Sequence, residues 1–213
     1  MRCGLGALTI LFGLLAGLVT AAAEDRPGDF DFYVLSLSWS PTYCLGEGRT
    51  DRIQCGGRPY AFVVHGLWPQ YERGYPSDCS VDETRVPRRT VDAMLDLMPS
   101  PSLIRHEWRK HGTCSGLDQT DYFSLVRAAR AAVNIPTAFV DLDDPLTVSP
   151  QAIETAFLKA NPGLPRDGFA VVCNSRRLSE VRLCMTRGLA FRPCPEVDRN
   201  ACRRPSVVMP PVR

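Results

Sequence analysis

From Phe30 to Trp39, Tyr33, Leu35, Leu37 and Trp39 alternate with Val34, Ser36 and Ser38. A period of two predicts a half-buried strand, stopped by Pro41. A polar, glycine-rich loop from Cys44 to Pro59 follows. Tyr60-Ala61-Phe62-Val63-Val64 then predicts a second strand that delivers His65 at its end. Gly66 lets the backbone turn there, and Pro69 ends the strand. Residues 70–82 read as a loop. The apolar spacing next lengthens to three and four. Val91, Met94, Leu95 and Met98 share one face of a helix running from about 84–87 to 98, broken by Pro99 and Pro101. Ser102 is placed to cap a second helix that ends at Gly112. Tyr122, Val126, Ala129 and Val133 mark a third helix, opened at Thr120. Ile153, Ala156, Phe157 and Ala160 mark a fourth, opened by Ser149-Pro150. The last third returns to strands at 168–173, 178–185 and, briefly, 189–191. The proline-bearing tail, about 203–213, is expected to be loosely attached. Strands at both ends with helices between predict a single α+β domain, with helices packed on a central antiparallel sheet.

The first 23 residues change that picture. Arg2, the apolar run Leu5–Val19 and the small residues Ala21-Ala22-Ala23 have the layout of a secretory signal peptide. An uncleaved anchor is the alternative, but the run is short for a bilayer span. The mature domain is then 24–213. Its formal charge is close to the +2 of the whole chain, which fits brief engagement of a polyanion by a few placed cations, not tight nucleic-acid binding. Removing Cys3 leaves the even set Cys44, Cys55, Cys79, Cys114, Cys173, Cys184, Cys194 and Cys202. In an exported chain this predicts disulfides of undetermined pairing. No Asn-x-Ser/Thr acceptor occurs, which points toward a bacterial envelope or secreted protein.

The chemistry is concentrated in two places. All three histidines lie in Phe62-Val63-Val64-His65-Gly66-Leu67-Trp68-Pro69-Gln70 and in Arg105-His106-Glu107-Trp108-Arg109-Lys110-His111-Gly112-Thr113-Cys114. Histidine titrates nearest neutrality and is the usual choice for moving protons. At ~100° per helical residue, His106, Lys110, Glu107 and His111 fall in one sector, with Ile104 and Trp108 beyond it. Imidazoles, a carboxylate and an ammonium together suit a reaction in which protons move while charge builds on a phosphate. The zinc-protease pattern needs a second histidine four residues after the first. Here His111 is five on and Lys110 would repel a dication. A solvated charged face is the bland alternative, and it leaves the His65 motif unexplained.

These two segments resemble the active-site segments of the ribonuclease T2 family. Phe32 to Cys44, Leu178-x-Glu180-Val181-x-x-Cys184 and Cys194-Pro195 resemble its first and closing strands. The resemblance implies a cofactor-free, metal-independent endoribonuclease. It would cut single-stranded RNA with little base demand, through a 2′,3′-cyclic phosphate hydrolysed to a 3′-phosphate. It implies His111 as base, His65 as acid, His106 on the phosphate, and Glu107 and Lys110 stabilising the transition state. Trp68 is a base-stacking platform or a core residue, Tyr75 a second aromatic candidate, and Gln70 stands where base recognition is expected. The implied disulfides are Cys44–Cys55, Cys79–Cys114, Cys173–Cys202 and Cys184–Cys194. The implied setting is a secreted or periplasmic monomer that acts neither on DNA nor at a membrane. A catalytically silent relative acting in binding or storage is the competing reading, opposed by the presence of every catalytic-type residue.

Overall fold

The computed structural model describes residues 25–212. The expected leader, 1–23, lies outside them. In chain order the elements are β1 (Phe32–Trp39), α1 (Ser40–Leu45), α2 (Arg52–Cys55), β2 (Phe62–Gln70), α3 (Arg88–Met94), α4 (Pro101–Lys110) and α5 (Gln119–Ala131). They continue with β3 (Leu146–Val148), α6 (Pro150–Ala160), β4 (Phe169–Asn174), β5 (Arg177–Met185), α7 (Pro195–Arg199) and β6 (Val207–Met209). The strands form one six-stranded sheet in the order β2-β1-β5-β6-β3, with β4 also paired to β5. Its ladders are antiparallel except for the single parallel pairing of Arg177 with Val208. The protein is an α+β domain with helices packed on this sheet.

Two faces of the sheet do different work. Tyr33, Leu35, Leu37 and Trp39 of β1 enter the main core with Ile104, Trp108, Tyr122, Ile153 and Phe157. Phe157 of α6 stacks on Phe169 of β4 at 4.9 Å, and Tyr122 of α5 donates its hydroxyl to the Leu67 carbonyl at 2.9 Å. On the opposite face Phe32 and Val34 join Cys184 and Cys194, with Trp68 packed against them. Strand β1 is therefore buried along almost its whole length, not half-buried as its alternation predicts. It lies between β2 and β5, and both faces are covered.

Local departures from the expected elements have simple causes. Pro69 does not end β2 but lies inside it, opposite Tyr33. Strand β2 is at the sheet edge, where a residue without an N–H is tolerated. Pro101, with its preset φ, opens α4, so Ser100 and not Ser102 holds the cap position. Asp118 caps α5 through the Asp121 N–H. The segment expected as strand 189–191 reduces to one bridge between Met185 and Phe191.

The tail needs a larger correction. Residues 207–209 form β6, with Val207 and Met209 buried, and the Trp39 indole donates to the Pro210 carbonyl at 3.0 Å. Proline content suggested a free end. Apolar residues between the prolines instead close the sheet beside β3 and β5.

Among the described residues the disulfides are Cys44–Cys55, Cys79–Cys114, Cys173–Cys202 and Cys184–Cys194. The pairing is the one the resemblance implies.

Candidate active site

The site is built on the less apolar face of the sheet, and an irregularity in β2 puts His65 there. Ser36 pairs with Gly66 and Leu37 with Val64, so His65 is an extra residue with no partner in β1. Such a bulge breaks the strict alternation of faces. Val64 and Leu67 both stay in the core, while His65 and Gly66 between them turn to the other side. Residues directly opposite in an antiparallel pair share a face. Ser36 lies opposite Arg182 and Ser38 opposite Glu180, which brings β5 side chains to the same place.

Helix α4 supplies the second half. The expectation of one polar sector is refined to two adjacent rows. Glu107 and His111, four residues apart, are buried, whereas His106 is exposed and Lys110 half-buried. Ile104 and Trp108 hold the helix to the core. His111 closes α4 with φ −120° and ψ −45°, one residue before the expected end at Gly112. Glu107 faces β2: its Oε2 accepts from the Trp68 indole N–H at 2.7 Å, and its Oε1 lies 3.7 Å from His65 Nε2. Gly66 makes this contact possible. A Cβ at that position would overlap the Glu107 carboxylate and the Trp68 indole nitrogen.

His65 is thus held between two carboxylates. Its Nδ1 is 2.5 Å from Glu180 Oε1. Burial pulls the His65 pKa down, but the hydrogen bond and charge of Glu180, with the charge of Glu107, outweigh it against Arg182 and leave it raised. The environment of His111 is the reverse. Burial, then the charges of Lys110, His106 and His65, push it down to about 3, and its buried Nδ1 has no hydrogen-bond partner among the described residues. His106 is also lowered, by desolvation first and then by Lys110 and Arg109. Burial raises Glu107 to about 7 against the opposing effects of His65, Trp68 and Lys110. Burial would raise Glu180 too, but its bonds and charges with His65 and Arg182 bring it to about 2.

The aromatic candidates are placed unequally. The Trp68 ring touches both catalytic-type histidines, with its centroid 5.2 Å from that of His65 and 5.3 Å from that of His111. The Arg182 guanidinium lies over the same ring at 5.0 Å. Tyr75 is 51% exposed and 6.1 Å from His111. The Gln70 side chain donates to the Pro69 carbonyl at 3.0 Å. The loop carrying Tyr75 is tied to the end of α4 by Cys79–Cys114 and by the Asp78 N–H to the Lys110 carbonyl at 2.8 Å. His65, His106 and Glu180 line a cavity of about 710 Å³, together with Tyr43, Ser102, Leu103 and Asn174 among others. Glu180, Arg182 and Ser36 were not singled out from the sequence as site residues. The signal that could have found Glu180 is a carboxylate at a sheet-interior position of β5, between Leu178 and Val181.

A model of the ribonuclease T2 family matches residues 30–194. A ribonuclease of Aeromonas hydrophila is 46% identical over 126 residues, which is 58% of this chain and 57% of that one. Ribonuclease DdI of Dictyostelium discoideum is 32% identical over 206 residues, 86% of each chain. Among solved structures, an RNase-related protein from Calystegia sepium superposes with a TM-score of 0.70 at 24% identity, covering 86% of this chain and 98% of its own.

Proposed function

The chain belongs to the ribonuclease T2 family and is an RNA endonuclease, and we propose that it cuts single-stranded RNA with little base preference in two steps. In the first, His111 takes the proton of the ribose 2′-hydroxyl and the 2′-oxygen attacks phosphorus. The bond to the 5′-oxygen breaks, and His65 gives that oxygen its proton. The product is a 2′,3′-cyclic phosphate. In the second step the roles reverse. His65 takes a proton from water, the resulting oxygen attacks phosphorus, and the 2′-oxygen leaves with the proton held by His111, giving a 3′-phosphate. DNA lacks the 2′-hydroxyl and offers no nucleophile for the first step.

The observation that carries this reading is the opposite proton bias of the two imidazoles. A base must be free of its proton and an acid must hold one. His111 is buried beside cations, and His65 is clasped by carboxylates. His106 on the open row of α4 then binds the phosphate, and Glu107 and Lys110 serve the crowded, charge-rich transition state. The exposed Tyr75 and the half-buried Trp68 are the rings offered for stacking, which accepts any base. Gln70 is retained as the nearby amide for base contact.

The setting proposed is an exported monomer, cleaved after residue 23. It is supported by the layout of residues 1–23 and by four disulfides, which persist in oxidising compartments. Among the described residues no helix is long and apolar enough to cross a membrane.

The test is incubation of the disulfide-intact protein with RNA in excess EDTA. Cleavage leaving cyclic or 3′-phosphate ends is expected. Inertness with and without metal would favour the silent binding protein, and activity only with added zinc would favour a zinc hydrolase. His65→Ala and His111→Ala are each expected to lose roughly 10²-fold or more in turnover with the fold intact. A variant with near-wild-type rate would remove that residue from its role.

A further inference from the structure

Glu180 is a carboxylate that the cleavage reaction as described does not use, yet it is 8% exposed and lies on the site face of β5. Burying a carboxylate is costly unless every lone pair is answered. Here one oxygen is answered by other protein groups. Glu180 Oε2 accepts from Ser36 Oγ at 3.1 Å and from Arg182 Nε and Nη2 at 3.2 and 3.0 Å. Three donors on two strands fix the carboxylate plane. The other oxygen, Oε1, is aimed at His65 Nδ1 at 2.5 Å.

We propose that Glu180 is a positioning residue for His65, holding the imidazole through Nδ1 so that Nε2 is the nitrogen that gives and takes the transferred proton. His65 needs such support because it is the bulge residue of β2 and has no partner in β1 to set its direction. The bond fixes the tautomer as well as the orientation. A doubly protonated His65 delivers the Nε2 proton to the leaving 5′-oxygen. The neutral ring that remains keeps its Nδ1 proton, hydrogen-bonded to Glu180, with the Nε2 lone pair on the side of Glu107, whose Oε1 is 3.7 Å away. That is the form required to take a proton from water in the second step. One contact therefore serves both half-reactions. The other charged groups facing His65 are Glu107, His106 and His111 from α4 and Arg182 from β5. Arg182 opposes protonation of His65, but its guanidinium is engaged with Glu180 Oε2.

The inference rests on the reading of His65 as the proton donor to RNA, so its test has one arm without RNA. In steady-state cleavage, Glu180→Gln is expected to lower kcat by roughly 10²-fold or more, as when an orienting carboxylate is removed from a catalytic histidine, with KM changed by less than about threefold. The limb of the kcat/KM profile set by protonated His65 should move to lower pH. Glu180→Asp, which keeps the charge, should recover part of the rate and return the limb toward its wild-type position. A purely structural role would lower melting temperature and rate in both variants without moving the limb. In the RNA-free arm, the His65 ring nitrogens are followed by NMR through a pH titration. Wild-type His65 should hold its proton above the ordinary ~6.5, with Nδ1 protonated throughout, and Glu180→Gln should lose both properties. An unmoved limb or an unchanged His65 titration in Glu180→Gln overturns the proposal. If that variant does not fold, a wild-type His65 that titrates at or below ~6.5 does so. Failure of wild-type protein to cleave RNA would count against the proposed function, and the NMR titration would still decide the contact.

Discussion

At the scale of single residues, the site depends on groups whose burial opposes their ordinary protonation, and this must appear in stability. Native His111 stays neutral until about pH 3, whereas in the unfolded chain it takes a proton near ~6.5. Between these values the unfolded state binds the extra proton. The contribution of His111 to stability is therefore fully present above ~6.5 and is lost as pH falls toward about 3. Glu107 runs the other way. Its native pKa of about 7 exceeds the unfolded ~4.3, so its contribution is present at acid pH and is lost as pH rises through about 7. The two slopes oppose each other between them, and the wild-type curve alone does not separate them. His111→Asn does. Its melting temperature relative to wild type should climb steadily as pH is lowered from about 6.5 to 4. A constant gap across that range would mean that His111 is not held neutral by burial. The histidines and Glu107 were legible as candidates because they crowd into two short segments. Glu180 was not. Its bond to His65 spans 115 positions, and a lone glutamate in a strand usually points to water.

At the scale of elements, the sequence pattern located β1, β2, β4, β5 and helices α3 to α6, but it missed the short strands β3 and β6 and the defect that makes the site. A bulge adds one residue to one strand of a pair, and only the partner strand reveals it. The run Val63-Val64-His65-Gly66-Leu67 read as a strand ending at a turn. In the structure it continues, with His65 and Gly66 on the site side between core-facing Val64 and Leu67. Gly66 is needed here for space and not for an unusual φ. Gly66→Ala would drive a methyl into the Glu107–Trp68 hydrogen bond. The strand itself accepts alanine, so the expected stability loss is that of overpacking, about 1–3 kcal/mol. The functional loss should be larger than that destabilisation explains, because Glu107 and Trp68 are the groups that separate and Trp68 touches both histidines. Turnover measured well below the melting temperature, beside urea unfolding, checks this. Equal activity per folded molecule would show that the Glu107–Trp68 contact is dispensable.

At the scale of the whole molecule, the sheet that carries the site face is closed by a C-terminal strand that the two histidine motifs do not contain. Strand β5 carries Glu180 and Arg182, and it is bordered by β1, β4 and the terminal β6. Composition hid β6, because Pro205, Pro210 and Pro211 signal a chain that neither coils nor pairs, and the four residues between Pro205 and Pro210 are too few for a periodicity. The contacts around Val207–Met209 reverse that inference. Val208 donates its N–H to the Arg176 carbonyl, pinning the turn that begins β5 a few residues before Glu180. The Pro210 carbonyl satisfies the buried Trp39 indole. Removing residues 206–213 exposes the apolar surface that Val207 and Met209 cover and leaves that indole N–H without its partner. At about 1.5–3 kcal/mol for each buried apolar side chain, the truncated protein should lose at least about 3 kcal/mol, read as a lower urea midpoint. No described side chain of the tail touches the catalytic-type histidines, so the truncated protein should keep most of its turnover where it remains folded. A truncation that leaves the urea midpoint unchanged would return the tail to the loosely attached end that its prolines suggest. One that abolishes turnover without unfolding would mean that the start of β5, and with it the placement of Glu180, is set by β6.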